Sequence, residues 1–384
     1  MKDTLLRALC CPLCKGRICH ERLDADYGVI LCVQCKVTYP VIHGVPVMLT
    51  YRTKLHEAFV SKFQSLVFPF PRETPPPGEL DVQRSFSLEW EGLTEDDLTF
   101  RYTNDELIKL HRDAFMGLDE DDYSAEVRSV LDLGCGAGNE ANVLSKIFPK
   151  ANVFAVDINT SILSGPKRYP NVHFVMASVF ALPFRQKSID QVFTQGVIHH
   201  THSTHKAFDA LAVLVRAGGH YFCWVYAKDD YSSAPGKLRI IATVYRWFEL
   251  AARPIISRLP GPLQKAAVYA IALATHHMQK SRVIHRDKWK LKNTVHSTFD
   301  TFAPKYAFRH GTNEVWEWFE DRGFACKYQS PRKYRAHFGK RIFGVGINGQ
   351  LLPHGYPTSK GVGVHHAQPQ ILSGSRGTAA ADSA

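Results

Sequence analysis

The sequence has no run of about eighteen apolar residues, so no segment is expected to span a membrane as a helix. Its first residues, Met1 to Arg7, lack a long apolar stretch and a small-residue cleavage site, so no secretory signal is expected. Cysteine is scarce along most of the chain: of nine, six fall within the first 35 residues. Too few thiols remain elsewhere for a disulfide framework, and the clustering predicts metal binding in a reducing, cytoplasmic compartment. Acidic residues are outnumbered, 36 against 47 Lys and Arg, for a net charge of +11. The excess is local, because Lys228 to Lys292 holds thirteen basic and four acidic side chains. Such a concentration fits an anionic partner or a solvated helical surface. At 384 residues and 45% hydrophobic content, a large core domain with a small module and tails is expected.

The stretch around which the rest is organised is Ser129 to Asn139, Ser-Val-Leu-Asp-Leu-Gly-Cys-Gly-Ala-Gly-Asn. Val130, Leu131 and Leu133 read as a buried strand that breaks into glycines at Gly134, Gly136 and Gly138. Glycine tolerates positive φ and puts no Cβ between backbone and ligand, so this loop can hold a ligand against the main chain. A second apolar strand, Val153 to Val156, ends in Asp157, whose carboxylate can accept from both hydroxyls of a ribose. Gly136-x-Gly138-x-x-Ala141 also fits a dinucleotide fingerprint. The acid at Asp132, however, repels a pyrophosphate and suits a cationic cofactor without phosphate.

These residues resemble the class I S-adenosylmethionine-dependent methyltransferases, whose first motif is acid-x-Gly-x-Gly-x-Gly with an acid closing the second strand. The resemblance continues through Phe174 to Phe184, Ser188 to His200, and Arg216-Ala-Gly-Gly219, which looks like a turn into strand five at Tyr221 to Val225. It covers roughly residues 85–350. It implies an α/β fold, a doubly wound seven-stranded Rossmann-like methyltransferase sheet with a helical insertion after strand five. It implies S-adenosyl-L-methionine as cofactor, held by Asp132, Gly134, Cys135, Gly136, Gly138, Asp157, Ile158, Ser178, Val179 and Gln195. Ser178 stands where many relatives carry an Asp that takes the adenine amino group.

At the other end of the chain, Cys11-Pro-Leu-Cys14 and Cys32-Val-Gln-Cys35 form two C-x2-C knuckles with seventeen residues between them. Four thiolates at that spacing predict a tetrahedral structural zinc, with no open position for catalysis. Cys10 and Cys19 are read as bystanders. The following Val37 to Leu49 resembles the ending of zinc ribbons related to a methyltransferase-activator subunit. The expected organisation is a ribbon at 1–50, a Pro-rich linker at 51–83, a methyltransferase domain at 84–350 with an insertion at 228–292, and a disordered tail at 351–384.

Gln195-Gly-Val-Ile198 lacks the Pro-Pro-aromatic motif common in enzymes that methylate amide or aromatic-amine nitrogen. The acceptor expected is an oxygen or carbon of a small molecule: a sugar, a lipid-linked intermediate or a secondary metabolite. His200 or His199 is a candidate general base; a metal site from His199, His202 and His205, or plain structural roles, are the other readings. The insertion predicts two helices, Leu238 to Leu250 and Leu263 to Thr275, broken by Pro254 and Pro260-Gly-Pro262. They are read as a lid, with peripheral contact to an anionic membrane as a second role. An RNA methyltransferase is the alternative function, and a non-catalytic cofactor-binding scaffold a third; DNA is not expected as a partner.

Overall fold

The computed structural model describes residues 2–91, 102–228, 237–280, 287, 289–330 and 344–353. A small antiparallel sheet opens the chain, in order β1-β2-β3-β4: Ile18–Arg22, Tyr27–Cys32, Thr38–Ile42 and Val45–Pro46. The large sheet has seven strands: β5 (Ser129–Leu133), β6 (Asn152–Asp157), β7 (His173–Met176), β8 (Ile189–Gln195), β9 (Val215–Tyr226), β10 (Phe324–Gln329) and β11 (Gly344–Leu351). Their order is β10-β11-β9-β8-β5-β6-β7. Pairs among β5 to β9 are parallel, whereas β11 runs antiparallel to both β9 and β10. This is the expected doubly wound sheet with its antiparallel last strand. The chain order reverses between β5 and β8, and ligands of open α/β sheets bind beside the carboxyl ends at such a point.

Sequence explains these elements locally. In β5, Val130 and Leu131 are wholly buried, because helices cover both faces of a parallel sheet. Gly138 (φ 95°) starts the helix Asn139–Ile147, which turns Ala141, Leu144 and Ile147 toward the sheet. Phe115, Phe193 and Phe222 stack in the adjoining core, with Phe193 and Phe222 4.9 Å apart.

The small sheet is docked on the large one. Met48 N donates to Met176 O at 2.7 Å, and Val47 bridges Met176 in parallel, extending the sheet beyond β7. Cys10 N donates to Pro183 O at 2.9 Å and Lys15 Nζ to Leu182 O at 2.7 Å. Leu9, Tyr39 and Met48 share one apolar cluster with Leu131, Val156 and Phe184. Full burial of side chains such as Leu9 and Met48 contributes roughly 1.5–3 kcal/mol each.

Three readings change. Residues 51–83 were expected as a Pro-rich linker, yet they contain the helix Lys54–Lys62 and begin the helix Glu79–Glu89. Tyr51, Phe59 and Phe70 are buried there, so apolar anchors pin the segment despite its prolines. Arg216 to Gly219 lies inside β9 rather than forming a turn before it. Between Ile189↔Val215 and Gln191↔His220, β9 advances five residues while β8 advances two, a bulge that Gly218 (φ 75°) accommodates. Pro254 does not break its helix, which runs Lys237–Ile256; so close to the end, the missing N–H removes one bond only. The insertion continues with helices Gly261–Lys280 and Leu291–Phe302. The tail from 354 and the expected strand positions 341–343 lie outside the described residues, as do 229–236, 281–286 and 288 of the insertion. Among the described residues no helix is long and apolar enough to cross a membrane.

Candidate functional site

A cavity of about 350 Å³ opens at the carboxyl ends of β5, β6, β8 and β9. Its floor includes Leu133, Gly134, Asp157, Ile158, Gln195 and Tyr226. Its walls come from the helices Glu79–Glu89 and Leu291–Phe302, which contribute Phe86, His296 and Asp300.

The glycine loop is built as its sequence requires: Gly134, Gly136 and Gly138 all adopt left-handed conformations, with φ of 78°, 55° and 95°. A Cβ on Gly134 would come within 2.1 Å of Val197 Cγ2, and one on Gly136 within 2.6 Å of the Trp90 ring. Asp157 closes the loop from β6, since its Oδ2 accepts from Gly136 N at 2.8 Å and its Oδ1 from Asn159 N at 2.9 Å. One oxygen of Asp132 is buried with no hydrogen-bond partner, and so is Oε1 of Gln195. Burial, then the charges of Glu140 and Asp157, push the Asp132 carboxyl well above its ordinary range. Burial pushes Asp157 up as well. A cationic ligand relieves this concentration of acid, and one bearing an ammonium or sulfonium suits it where a pyrophosphate does not. On those orphaned acceptors and that cradle, S-adenosylmethionine fits the site.

The remaining expected cofactor residues divide. Ile158, Val179 and Gln195 line the cavity with Gly134 and Asp157. Asp132 and Cys135 lie just beneath it, only 2% and 1% exposed. Ser178 is buried too, and its Oγ donates to Glu79 Oε2 at 2.8 Å rather than facing the cavity.

The two adjacent histidines also part. His199 is wholly buried, outside the lining, and burial followed by the charge of His200 pushes its imidazole far below the ordinary value. His200 lines the cavity. Its Nδ1 is 2.7 Å from Tyr306 O; a carbonyl can only accept, so Nδ1 carries the proton and Nε2 of the neutral ring is a lone pair. Nε2 lies 3.5 Å from Asp300 Oδ1, and Tyr226 Oη donates to Asp300 Oδ2. Asp300 stands in the wall with 37% of its side chain open, because what it faces is the cavity. Burial raises its carboxyl, but a protonated His200 and the Tyr226 hydroxyl outweigh that and hold it below its ordinary value. The metal reading of His199, His202 and His205 fails: His205 instead stacks on Trp318, and among the described residues only the cysteine cluster could hold a metal.

That cluster is Cys11, Cys14, Cys32 and Cys35, whose sulfurs all lie within 4.8 Å of one another. Cys11 and Cys35 Sγ are 4.0 Å apart, and Cys14 and Cys32 Sγ 3.6 Å. A tetrahedron with Zn–S of about 2.3 Å has edges of about 3.8 Å, so the four thiols fit a zinc. Each knuckle ends in a left-handed lysine, Lys15 (φ 58°) and Lys36 (φ 60°), and Gly16 N and Cys35 N donate to Cys14 and Cys32 Sγ. Cys10 is buried and Cys19 exposed, both outside the cluster.

Sequence reasoning missed Glu79, His111, Tyr226, His296 and Asp300 as cavity residues. Tyr226 had a readable signal, its place at the carboxyl end of a parallel strand. The others reach the cavity from distant helices, with no spacing to announce them.

Comparison with known proteins agrees with this geometry. The family model described as "Methyltransferase domain" matches residues 131–223. An uncharacterised protein of Synechococcus is 23% identical over 209 residues, covering 50% of this chain and 46% of its own length. A malonyl-[acyl-carrier protein] O-methyltransferase of Legionella pneumophila is 29% identical over 96 residues, 24% of this chain and 34% of that protein. This chain thus spans less than half the length of either. A UPF0434 protein of Ralstonia pickettii is 43% identical over 49 residues, 13% of this chain but 74% of that protein. Residues 131–223 therefore carry a methyltransferase domain, in a chain that resembles the class I S-adenosylmethionine-dependent methyltransferases, and the 49-residue match relates the N-terminal cysteine module to the UPF0434 proteins.

Proposed function

We propose that this protein methylates an oxygen or an acidic carbon of a small molecule, and that the His200–Asp300 pair takes the acceptor's proton. The observation that carries the reading is their shared cavity: the glycine loop and Asp157 lie at the ends of β5 and β6, and His200, Asp300 and Tyr226 beside β8 and β9. When bound, S-adenosylmethionine supplies an electrophilic methyl group on a good leaving group. Gly134 and Asp157 would hold that cofactor, the charge of the buried Asp132 would favour it from beneath, and Gln195 would accept from its polar end. Asp300 faces the acceptor. The proton released as the acceptor becomes a nucleophile ends on His200 Nε2, which has no hydrogen-bond partner. Asp300 then stabilises the imidazolium, and the Tyr306 carbonyl keeps the ring in place. The L. pneumophila relative, an O-methyltransferase by name, favours oxygen as acceptor.

In this reading the cysteine cluster holds a structural zinc that fixes the ribbon against β7. The insertion favours an apolar or lipid-linked acceptor. Ile240, Val244, Trp247 and Ile255 are 67%, 63%, 69% and 65% exposed along one helix, in a segment rich in Lys and Arg, which suits contact with an anionic membrane.

The test is turnover against a panel of small hydroxylated acceptors. His200→Gln is expected to lower kcat by about 100-fold or more while cofactor affinity stays unchanged. Unaltered turnover in that variant overturns the acid–base role. Methylation of total RNA, and of none of the small acceptors, overturns the substrate class.

A further inference from the structure

The cavity holds one carboxylate that neither the glycine loop nor the acid–base pair explains. Glu79 begins the helix Glu79–Glu89 and lines the cavity, yet it is only 7% exposed. Two hydroxyls aim their protons at it: Tyr51 Oη donates to Oε1 at 2.7 Å, and Ser178 Oγ donates to Oε2 at 2.8 Å. Among the described residues no Lys or Arg pairs with it. Burial, partly offset by those two hydroxyls, raises its carboxyl above the ordinary range. A buried acid without a cation is an expensive arrangement unless a ligand donates to it.

The topology says which part of a ligand that is. Strands β5, β6 and β7 lie side by side, and their carboxyl ends carry the glycine loop, Asp157 and Ala177–Ser178 in turn. A nucleoside with its ribose at Asp157 and its other end on the glycine loop would bring its base to the next strand end in that row, that of β7. There Ile158, Ala177 and Val179 offer apolar surface for a ring. Glu79 is tied to Ser178 at that same end. A carboxylate only accepts, and each oxygen keeps a lone pair after taking a hydroxyl proton.

We propose that Glu79 recognises the exocyclic amino group of the cofactor's adenine, with Tyr51 and Ser178 as positioning residues. The proposal rests on the cofactor reading above and deepens it. Tyr51 follows directly on the stretch that joins the ribbon to β7, so the ribbon's docking also sets the position of Glu79. The position next to β7 where a serine stands is thereby served by an acid from a different element.

The experiment is calorimetric titration with S-adenosylhomocysteine and with its 6-deamino analogue, in which the purine carries hydrogen in place of the amino group. Wild type is expected to prefer the amino form by about tenfold or more, as for a hydrogen bond to a charged group. Glu79→Leu should bind the two alike. Should that variant fold poorly, Glu79→Gln keeps the shape without the charge, and its preference should shrink to roughly two- to threefold. Ser178→Ala should weaken the amino form selectively and leave affinity for the deamino analogue unchanged, which a general loss of structure would not do. A preference that survives in the Glu79 variants overturns the proposal, as does equal binding of both ligands by wild type. Wild type that binds neither ligand overturns the cofactor reading along with it, so the two failures are distinguishable.

Discussion

Replacing His220 by phenylalanine is expected to make the fold less sensitive to acid by an amount that follows from its surroundings. His220 lies in β9, 6% exposed, with its ring stacked on Tyr123 at 3.5 Å and 4°. Burial first, then Lys327 and Arg216, lowers its imidazole from 6.5 to about 4. The unfolded chain binds a proton that the fold refuses, so stability is lost as pH falls from 6.5 toward 4. Linkage makes that loss about 0.1 kcal/mol at pH 7.5 and about 1.4 kcal/mol at pH 5.5, a difference of about 1.3 kcal/mol. His56 and His111, both buried and also lowered to about 4, act in the same direction. Glu79, Asp132 and Asp157 oppose them, because their raised carboxyls hold protons in the fold that the unfolded chain has released. The total pH dependence therefore mixes both signs, whereas the difference between wild type and His220→Phe isolates one ring and preserves the stacking. Urea unfolding at pH 7.5 and 5.5 measures it. The variant should lose about 1.3 kcal/mol less than wild type on acidification. Equal losses in the two proteins would mean that His220 takes up its proton as readily in the fold as in the unfolded chain.

Two further outcomes follow from the same chemistry. Chelating the metal should free the ribbon and strip β7 of its contacts with Val47 and Met48, lowering the melting temperature by several degrees, with recovery on adding zinc. A metal content below one zinc per folded chain would contradict this. Because burial raises Asp132 and Asp157, a cationic cofactor should bind more tightly as pH rises from 5.5 to 7.5 and release protons as it binds. Calorimetry in two buffers of different ionisation enthalpy should then give different apparent heats, and identical heats would count against ionisation at these acids.

What the sequence made legible was local. Asp132, the three glycines and Asp157 could be read because strand, loop and strand follow one another, and each residue type is demanded by its own backbone or charge. The cysteine knuckles were legible for the same reason, since zinc geometry is written into a short spacing. The walls were not. Asp300 meets Tyr226 across 74 residues and Glu79 meets Ser178 across 99, contacts that no periodicity encodes. The pair His199–His200 shows the limit at short range. The two are neighbours in sequence and both are buried, but a 3₁₀ turn, Ile198–His200, puts His200 in the cavity lining and leaves His199 outside it. The prolines of 51–83 marked where regular structure stops, but not that Tyr51, Phe59 and Phe70 would anchor the segment.

S-adenosylmethionine is expected in the cavity that Gly134 and Asp157 line together. Calorimetric titration of the metal-analysed protein with S-adenosylmethionine and its demethylated product, for wild type and Asp157→Ala, tests it most directly. One site per chain is expected, with a loss of about tenfold or more in the variant, since Asp157 also fixes Gly136 through its 2.8 Å hydrogen bond. A folded, zinc-loaded wild type that binds neither ligand, or an Asp157→Ala variant that binds as tightly as wild type, would contradict it.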